Sequence, residues 1–458
     1  MKTLRSLVAA AVLVSCGLAW GGEPAKRSPI SDAAVDAAYS DLEKVYLDLH
    51  ENPELSGQEV RTAAKMAEGL RKLGYEVTAG VGGNGVVGVL RNGPGPVAML
   101  RTDMDALPIE ERTGLPYASR VRAKNPAGQD VGVMHACGHD LHMSAWLGTA
   151  RLMAEHRKAW SGTLVVIGQP AEETAGGASP MLADGLYTRF PKPDYALAIH
   201  DYSGLPSGTV AVDAGPVTAN VDSVDITIRG RGGHGARPET TVDPIVIAAR
   251  TVLTLQTLIS RENAPQQPAV ITVGSIHGGT KHNIIPDEVK LQLTVRSQSE
   301  ASRKRLLDGI GRVARAEAEA AGAPEPPVVT VAEGRGFAVH NDPELTKRVR
   351  SALAERLGSD RVTTMPPQMV AEDFAEYGRA GARSALIWVG ATEPALCEAA
   401  AKTGTAVPEL HSPTFAPDLE RTLKTAIKAE TAALLSVLQT GGGDAPARSG
   451  GEAADSPK

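Results

Sequence analysis

Apolar residues recur at helical spacing near both ends of the chain. Residues 31–49 carry apolar side chains three or four positions apart, and residues 58–73 repeat this pattern up to Gly74. Because this spacing places the apolar side chains on one face of a helix, the pattern predicts two helices here. It predicts two more over residues 343–357 and 418–438.

Short apolar runs between these helices predict the strands of a central sheet. The runs span residues 85–90, 97–100, 163–168, 195–199 and 385–389. Continuous apolar runs are typical of strands buried on both faces, so we expect a parallel α/β sheet. The carboxyl ends of parallel strands share one edge, where open α/β proteins place their sites. The polar residues that follow three of these strands are therefore predicted to meet in one pocket.

The pattern changes between about residues 215 and 333, where apolar and polar residues alternate. The predicted elements are, in chain order, a strand at 224–228, a helix beginning at Asp243-Pro244, strands at 270–276 and 289–295, a helix at 299–321 and a strand at 328–331. This β-α-β-β-α-β order is that of a ferredoxin-like unit, with two helices on one face of a four-stranded sheet. We expect it to form a second domain inserted into the first.

The amino terminus has the pattern of a secretion signal. Lys2 and Arg5 precede an apolar run at residues 7–18, which small residues follow. The run is too short for a convincing membrane span. The sequence Leu13 to Cys16 resembles a bacterial lipobox, in which the cysteine is lipidated and anchors the protein to a membrane. We therefore expect an exported protein, periplasmic or secreted, with a lipoprotein anchored through Cys16 as the alternative.

Composition argues against a nucleic-acid-binding protein and against a small disulfide-rich protein. The net charge is −6 and no basic cluster is present, which disfavours nucleic acid as a partner. The three cysteines, Cys16, Cys137 and Cys397, are too few for a disulfide framework.

One stretch concentrates metal-binding side chains. Residues 134–142 contain Cys137 and three of the 11 histidines, namely His135, His139 and His142. An amphipathic run follows, so Cys137 and His139 are predicted at the start of a helix, where the helix dipole favours a thiolate. Thiolate and imidazole together suit a borderline-soft divalent metal. A packed, buried cluster without metal is the alternative.

Further candidates follow two of the predicted strands. Adjacent residues leaving a strand point in different directions, so one of Glu172 and Glu173 could bind a metal while the other acts as a base. A solvated acidic turn is the alternative for this pair. His200 and His411, taken alone, could be a strand-end and a surface-loop histidine. Together with Cys137 and His139, however, these residues are too many for one structural zinc and suit two divalent ions.

Seven motifs carry a resemblance to a known family. They are Arg-Thr-Asp-Met-Asp-Ala-Leu-Pro at 101–108, His-Ala-Cys-Gly-His-Asp at 135–140, Gln-Pro-Ala-Glu-Glu at 169–173, Gly-Gly-His-Gly-Ala at 232–236, Asn-Ile-Ile-Pro at 283–286, Ala-Glu-Asp-Phe at 371–374 and His-Ser-Pro at 411–413. In this order they resemble the amidohydrolase branch of the aminoacylase and carboxypeptidase G superfamily. That branch includes hippurate hydrolases, N-acyl-amino-acid amidohydrolases and hydrolases of indole-acetyl-amino acids. The resemblance extends from about residue 33 to 438.

The resemblance implies a role for each matching residue. Glu172 is the implied general base and later acid, and Asp105 is implied to orient a ligand histidine. Asp103 is left out of the ligand set. The implied cofactors are two divalent metal ions, zinc or manganese, with cobalt or nickel as alternatives. The implied ligands are Cys137, His139, Glu173, His200 and His411.

The resemblance also implies that the inserted domain dimerises and closes over the substrate as a lid. It would then bring His234 and Asn283 into contact with the substrate, although turn chemistry explains Asn283 equally well. His135 and His142 either support the ligands or line the pocket. Asp373 either forms hydrogen bonds at the pocket floor or caps a helix.

These inferences predict a metal-dependent amidohydrolase that acts on N-acyl amino acids and forms a homodimer. A dipeptidase or carboxypeptidase of the same superfamily is one alternative. A catalytically silent binding protein is the other, although it would be expected to lose the base or a ligand. The predicted organisation is a signal peptide at 1–21, a catalytic domain at 31–214 and 334–439, a lid and dimerisation domain at 215–333, and a disordered tail at 440–458.

Overall fold

The computed structural model describes residues 28–332 and 336–438 of the 458-residue chain. The predicted signal peptide with Cys16 and the predicted tail at 440–458 lie outside the described residues. In the part of the chain that is described, no helix has both the length and the apolar character needed to cross a membrane.

Two principal sheets organise the described chain, one of eight strands and one of four. Their strands are, in chain order, β1 (Glu76–Val81), β2 (Gly85–Asn92), β3 (Val97–Asp103), β4 (Gly162–Gln169), β5 (Tyr195–Pro206), β6 (Val210–Ala211), β7 (Asn220–Arg229), β8 (Ala269–Gly278), β9 (Glu288–Ser297), β10 (Val328–Val331), β11 (Val362–Thr363) and β12 (Arg383–Thr392). The helices are α1 (Asp32–Glu51), α2 (Val60–Lys72), α3 (His139–Glu155), α4 (Ala178–Ala183), α5 (Leu186–Arg189), α6 (Pro244–Thr257), α7 (Glu300–Ala320), α8 (Pro343–Leu357), α9 (Ala375–Arg379), α10 (Pro394–Thr403) and α11 (Leu419–Leu438).

The large sheet is mixed and not wholly parallel. Its order is β1-β2-β4-β3-β5-β12-β6-β11, and the four central strands β4, β3, β5 and β12 run parallel. The predicted parallel sheet is thus correct for its centre and wrong for β2, which runs antiparallel to both β1 and β4. The reason is the short connection between β1 and β2, since a tight hairpin joins only antiparallel strands. The parallel centre brings the carboxyl ends of β3, β4 and β5 to one edge.

Helices cover this sheet and fix the position of that edge. Helix α1 begins where the Ser31 side chain accepts a hydrogen bond from the backbone nitrogen of Ala34. Helix α3 is buried along most of its length and packs against α1 and α11. Because α3 begins at His139, this packing also fixes the helix start that carries the Cys/His stretch.

The four-stranded sheet confirms the predicted β-α-β-β-α-β order. Its strand order is β8-β9-β7-β10, and α6 and α7 share one apolar core with one face of it. Asp243 caps α6 by accepting a hydrogen bond from the backbone nitrogen of Ile245, with Pro244 as the first helical residue. We call this unit the lid. Its domain limits at 215 and 333 remain a prediction.

Two segments differ from the predicted elements. Helix α10 lies where no helix was predicted, and it buries none of its residues. Strand β5 continues beyond His200 to Pro206, so this histidine lies inside the strand and not at its end.

Candidate metal centre and active site

The five predicted ligands converge at the edge where the central parallel strands end. Cys137 and His139 lie at the start of α3, Glu173 follows β4, His200 lies in β5 and His411 precedes α11. The Nε2 atom of His411 lies 3.2 Å from Cys137 Sγ and 3.5 Å from Glu173 Oε2. The distance from Cys137 Sγ to His200 Nε2 is 3.6 Å, and that from His139 Nε2 to Glu173 Oε1 is 3.9 Å. The fold therefore brings all five together.

Gly138 allows this close approach. Its φ of +72° is left-handed, and a Cβ atom there would lie 2.5 Å from a carboxylate oxygen of Asp201. Both conditions favour glycine. Its absent side chain lets the Cys137–His139 turn lie directly against Asp201 in β5.

The donor set fits divalent metal ions. His139 Nε2 and Glu173 Oε1 are buried and have no hydrogen-bond partner among the described residues, which is unfavourable unless a cation binds them. Cys137 belongs to two groups whose ligand atoms lie within 4.8 Å of one another, one with His139 and His200 and one with Glu173 and His411. Two atoms bound to one tetrahedral ion lie about 3.4 Å apart, close to the separations found here. The donors present would thus suit two divalent ions, with Cys137 common to both groups.

Negative charge is concentrated around these donors. Burial raises the pKa of the Cys137 thiol well above its usual range, and the carboxylate of Glu173 adds to this shift. Burial also raises the pKa of Glu172 well above its usual range, with Glu372 and Glu173 adding to it. Bound cations would offset these effects and favour the ionised forms.

Asp105 contacts both His139 and the turn that carries Glu173. Its backbone oxygen lies 2.8 Å from His139 Nδ1, and its Oδ1 lies 3.4 Å from the same nitrogen. Its Oδ2 accepts hydrogen bonds from the backbone nitrogen of Glu173 at 3.0 Å and from Ser56 Oγ at 2.6 Å. A hydrogen bond at Nδ1 leaves Nε2 of His139 as the nitrogen available to a metal.

Glu172 is the uncommitted carboxylate of the site. It lies in a short 3-10 turn after β4 and is 9% exposed. Its carboxylate has no hydrogen bond or ion pair with the described residues, whereas the Glu173 carboxylate lies near His139 and His411. With bound cations favouring its ionised form, Glu172 could accept a proton and return it.

A layer of paired charges lies beneath the candidate ligands. His142 lies 2.8 Å from an oxygen of Asp103 and 3.0 Å from one of Asp201. Burial alone would lower the pKa of His142, but these carboxylates raise it to about 9. The buried Arg101 pairs with Asp103 at 2.7 Å and with Glu372 at 2.8 Å. Because these groups are engaged with one another, His142 supports the site and does not line a pocket.

Asp373 joins two segments of the site. Its Oδ1 accepts a hydrogen bond from Gln169 Nε2 at 2.6 Å, and its Oδ2 accepts one from the backbone nitrogen of Ala178 at 3.0 Å. Burial raises the pKa of Asp373 to about 7, although Arg101 opposes this shift. The side chain therefore holds the end of β4 against the start of α4.

His135 is also buried, but it is not part of this layer of pairs. Neither of its ring nitrogens has a hydrogen-bond partner among the described residues. Burial lowers its pKa to about 4. The imidazole is therefore neutral near pH 7.

The two predicted substrate contacts lie in the lid, apart from this cluster. His234 and Asn283 are exposed, and His234 pairs with Ile284 in a two-stranded ribbon. Within residues 28–332 and 336–438, neither side chain has a hydrogen bond or ion pair with any of the five candidate ligands. Contact of either residue with substrate therefore stays a prediction.

Three residues that contact the site were not singled out from the sequence: Ser56, Glu59 and Arg101. Arg101 directly follows the apolar run at 97–100, in a strand that is buried throughout. An unpaired charge would be costly there, so an arginine at this position indicates a buried partner. Ser56 and Glu59 belong to an ordinary polar segment. Only their contacts with Asp105 and Ala171 reveal their positions in the site.

A largely buried set of thiol, imidazole and carboxylate donors beside a free carboxylate is the site expected of a metal-dependent hydrolase. Comparison with known proteins agrees. The model of peptidase family M20/M25/M40 matches residues 99–408, and the chain belongs to this family.

Relatives extend this result. Thermostable carboxypeptidase 2 of Saccharolobus solfataricus is 40% identical over 333 residues, which cover 72% of this chain and 80% of that protein. Hippurate hydrolase of Campylobacter jejuni is 38% identical over 281 residues, covering 61% and 70%. The crystal structure of a dinuclear metal-binding M20 peptidase from Bacillus subtilis is 31% identical with a TM-score of 0.73, covering 88% and 99%. The resemblance to the amidohydrolase branch is confirmed, and the chain is a metal-dependent amidohydrolase.

Proposed function

We propose that this protein hydrolyses the amide bond of N-acyl amino acids, with Glu172 as the general base beside two divalent metal ions. The observation that carries the proposal is the position of an uncommitted, buried carboxylate beside the five-residue donor set. The Bacillus subtilis relative is described as dinuclear, which supports two ions. Zinc or manganese is the proposed metal, with cobalt or nickel as alternatives.

Glu172 transfers the proton in the proposed mechanism. Bound metal ions would lower the pKa of a water molecule and polarise the substrate carbonyl. Glu172 accepts the proton of the attacking water and returns it to the leaving nitrogen. Asp105 meanwhile keeps His139 and Glu173 in place through its hydrogen bonds. His234 is the proposed donor to the oxyanion, a contact worth about 3 kcal/mol at comparable sites.

The acids of the site favour an acylated substrate over a free dipeptide. A substrate ammonium group needs an uncommitted carboxylate, because burying an unpaired charge is costly. Glu372 and Asp373 are already paired with Arg101, and Asp103 is engaged by Arg101 and His142. Glu172, although unpaired, is needed as the base. The hippurate hydrolase relative supports this choice.

Carboxypeptidase activity is the second candidate, because a relative at 40% identity carries that name. Both reactions release an amino acid with a free carboxylate, so they share a leaving group and differ only on the acyl side. The two candidate activities therefore differ only in the acyl group that the enzyme accepts: a simple acyl group for the amidohydrolase and a peptide for the carboxypeptidase.

We also propose that the lid forms a homodimer interface. Strand β8 is an edge of the lid sheet, so one side of its backbone has no partner strand among the described residues. Ile276 on this strand is 52% exposed, and Val246 and Leu253 on α6 are 54% and 72% exposed. An unpaired edge flanked by exposed apolar side chains favours association with a second copy.

Export is a proposal that rests on residues 1–21 alone. Cleavage near residue 21 gives a periplasmic or secreted protein, whereas lipidation of Cys16 gives a membrane-anchored one. Mass spectrometry of the mature amino terminus from the native host distinguishes the two.

The test of the activity is amine release by the purified protein from a panel of N-acyl amino acids, acylated peptides and free dipeptides. Each reaction is run with chelator and again after Zn²⁺ or Mn²⁺ is restored. Chelator-sensitive release from N-acyl amino acids supports the proposal. Release from peptides alone would favour the peptidase, and no release with any added metal would leave a silent binding protein.

A further inference from the structure

A buried carboxylate from the amino-terminal part of the chain reaches the turn that carries Glu172. Glu59 has 0% of its surface exposed. Its Oε1 accepts hydrogen bonds from the backbone nitrogens of Ala171 at 2.8 Å and Gly57 at 2.7 Å. Its Oε2 accepts one from Asn84 Nδ2 at 3.0 Å. Glu59 thus accepts a hydrogen bond from the residue that directly precedes Glu172.

Glu59 does not cap the helix that it precedes. It occupies the N-cap position of α2, yet its side chain accepts no capping hydrogen bond. The backbone nitrogens of Arg61 and Thr62 instead donate hydrogen bonds to the carboxylate of Glu54, at 3.1 Å and 2.7 Å. The carboxylate of Glu54 therefore caps α2, and the carboxylate of Glu59 is available to accept the hydrogen bond from Ala171.

Ala171 has a backbone conformation that alanine rarely adopts. Its φ is +53°, and that of Ala175 on the other side of the turn is +50°. A left-handed backbone is unfavourable for residues with a Cβ atom, so other contacts must hold it. The conformation at Ala171 sets the direction in which Glu172 and Glu173 leave β4.

We propose that Glu59 is a positioning residue for this turn. Its hydrogen bond holds Ala171 in the left-handed conformation from which Glu173 faces the other donors and Glu172 stays free. The proposal rests on the proposed roles of Glu172 and Glu173. Ser56 secures the other side of the turn through Asp105, which accepts a hydrogen bond from the backbone nitrogen of Glu173.

The first test compares Glu59→Ala and the nearly isosteric Glu59→Gln with Glu54→Ala. Glu54 is the matched control, because it lies in the same segment and caps the same helix without touching the turn. Glu59→Ala is expected to lower kcat about tenfold or more and to change KM less than about threefold. Glu59→Gln keeps an acceptor for Ala171 and should lose less. Equal kcat values in the Glu59 variants and the wild type would overturn the proposal.

A second substitution separates positioning from general destabilisation. Glycine adopts a φ of +53° without steric cost, so Ala171→Gly should partly replace what Glu59 supplies. In the Glu59→Ala background it is expected to restore kcat by about fivefold. A double variant no more active than Glu59→Ala would contradict the proposed route through Ala171.

Metal binding gives a readout that needs no substrate. In this assay the apoprotein competes for Zn²⁺ with a fluorescent chelator. Glu59→Ala is expected to raise the apparent Kd for Zn²⁺ about tenfold, as does the loss of hydrogen bonds that hold metal ligands in other proteins. Glu54→Ala should leave Kd unchanged, and the double variant should lower it again. The same Kd in all four proteins would overturn the proposal. If the wild type binds zinc but hydrolyses no acyl amino acid, the proposed function fails and the Glu59 comparison still decides its own question.

Discussion

The Nε2 atom of His411 lies 3.2 Å from the Sγ atom of Cys137, although 274 positions separate the two residues in the chain. Cys137 is buried, whereas the side chain of His411 is 52% exposed and its φ is +64°. The donor set is therefore completed by a residue on an exposed loop. This arrangement makes His411 the most accessible member of the candidate metal centre.

Replacing His411 should weaken metal binding without unfolding the protein. His411→Ala removes one donor, while an exposed side chain contributes little to the core. Replacing even a hydrogen-bond partner of a metal ligand lowers metal affinity by roughly 10- to 100-fold. Loss of a ligand itself is therefore expected to lower the affinity by at least about tenfold. Competition with a fluorescent chelator measures it. His340→Ala, a change of another exposed histidine, is the control, and equal affinities in both variants would exclude His411 as a ligand.

Replacing Arg101 should strongly destabilise the fold. Arg101→Met removes the guanidinium that pairs with Asp103, Glu372 and Asp373. Leaving buried charges without their partner typically costs about 3 to 5 kcal/mol. Thermal unfolding of the apoprotein measures the change. Arg122→Met, which breaks the exposed pair with Asp130, should leave the midpoint unchanged. A similar midpoint for both variants would contradict the buried charge layer.

Glu430 should make stability fall as the pH rises. It is buried in α11, where Thr149 donates a hydrogen bond to it at 2.6 Å, and burial raises its pKa from 4.5 to about 8. Between these two values the folded state holds a proton that the unfolded state has lost. The free energy of unfolding therefore decreases with pH in this window, by up to about 1.4 kcal/mol per pH unit, and the decrease ends above the folded pKa.

The variant Glu430→Gln should remove this contribution while keeping an acceptor for Thr149. Its unfolding midpoint is expected to exceed that of the wild type at pH 8, and the difference should shrink toward pH 5. Glu420→Gln, an exposed change on the same helix, is the control. A constant difference between Glu430→Gln and the wild type across this range would show that Glu430 ionises normally.

Elements with a continuous buried face could be predicted from the sequence. The apolar periodicity that predicted α1 and α11 corresponds to their buried residues, and alternation predicted the lid strands. Strand β1 and helix α10 were missed because β1 buries only one residue and α10 buries none, so no apolar face marks them. The antiparallel direction of β2 was missed because pairing depends on the connection and not on the run itself.

The candidate site could be predicted where its residues lie in compact motifs. Cys137 and His139 were identifiable because their spacing and residue types already indicate metal binding, whereas the choice of Glu173 over Glu172 as a ligand came from the family resemblance. Contacts between distant segments left no such local pattern. The bond from Glu59 to Ala171 spans 112 positions, and that from Arg101 to Glu372 spans 271. Neither could be predicted without the fold.

The proposed dimer predicts that His234 serves the active site of the partner subunit. His234→Ala and Glu172→Gln should each be nearly inactive alone. If the two are coexpressed, mixed dimers contain one site with an intact base and the partner's intact histidine. Random pairing should then restore about a quarter of the wild-type activity. No recovery, with mixed dimers demonstrated by tags, would place His234 in its own subunit's site or outside catalysis.

The most direct measurement of the central claim is the single-turnover rate of amine release by Glu172→Gln at metal content equal to that of the wild type. The change keeps the size of the side chain but removes its ability to accept a proton. A fall of roughly 100-fold or more is expected, with substrate affinity retained. A variant that matches the wild-type rate with the same bound metal would contradict the assignment of Glu172 as the general base.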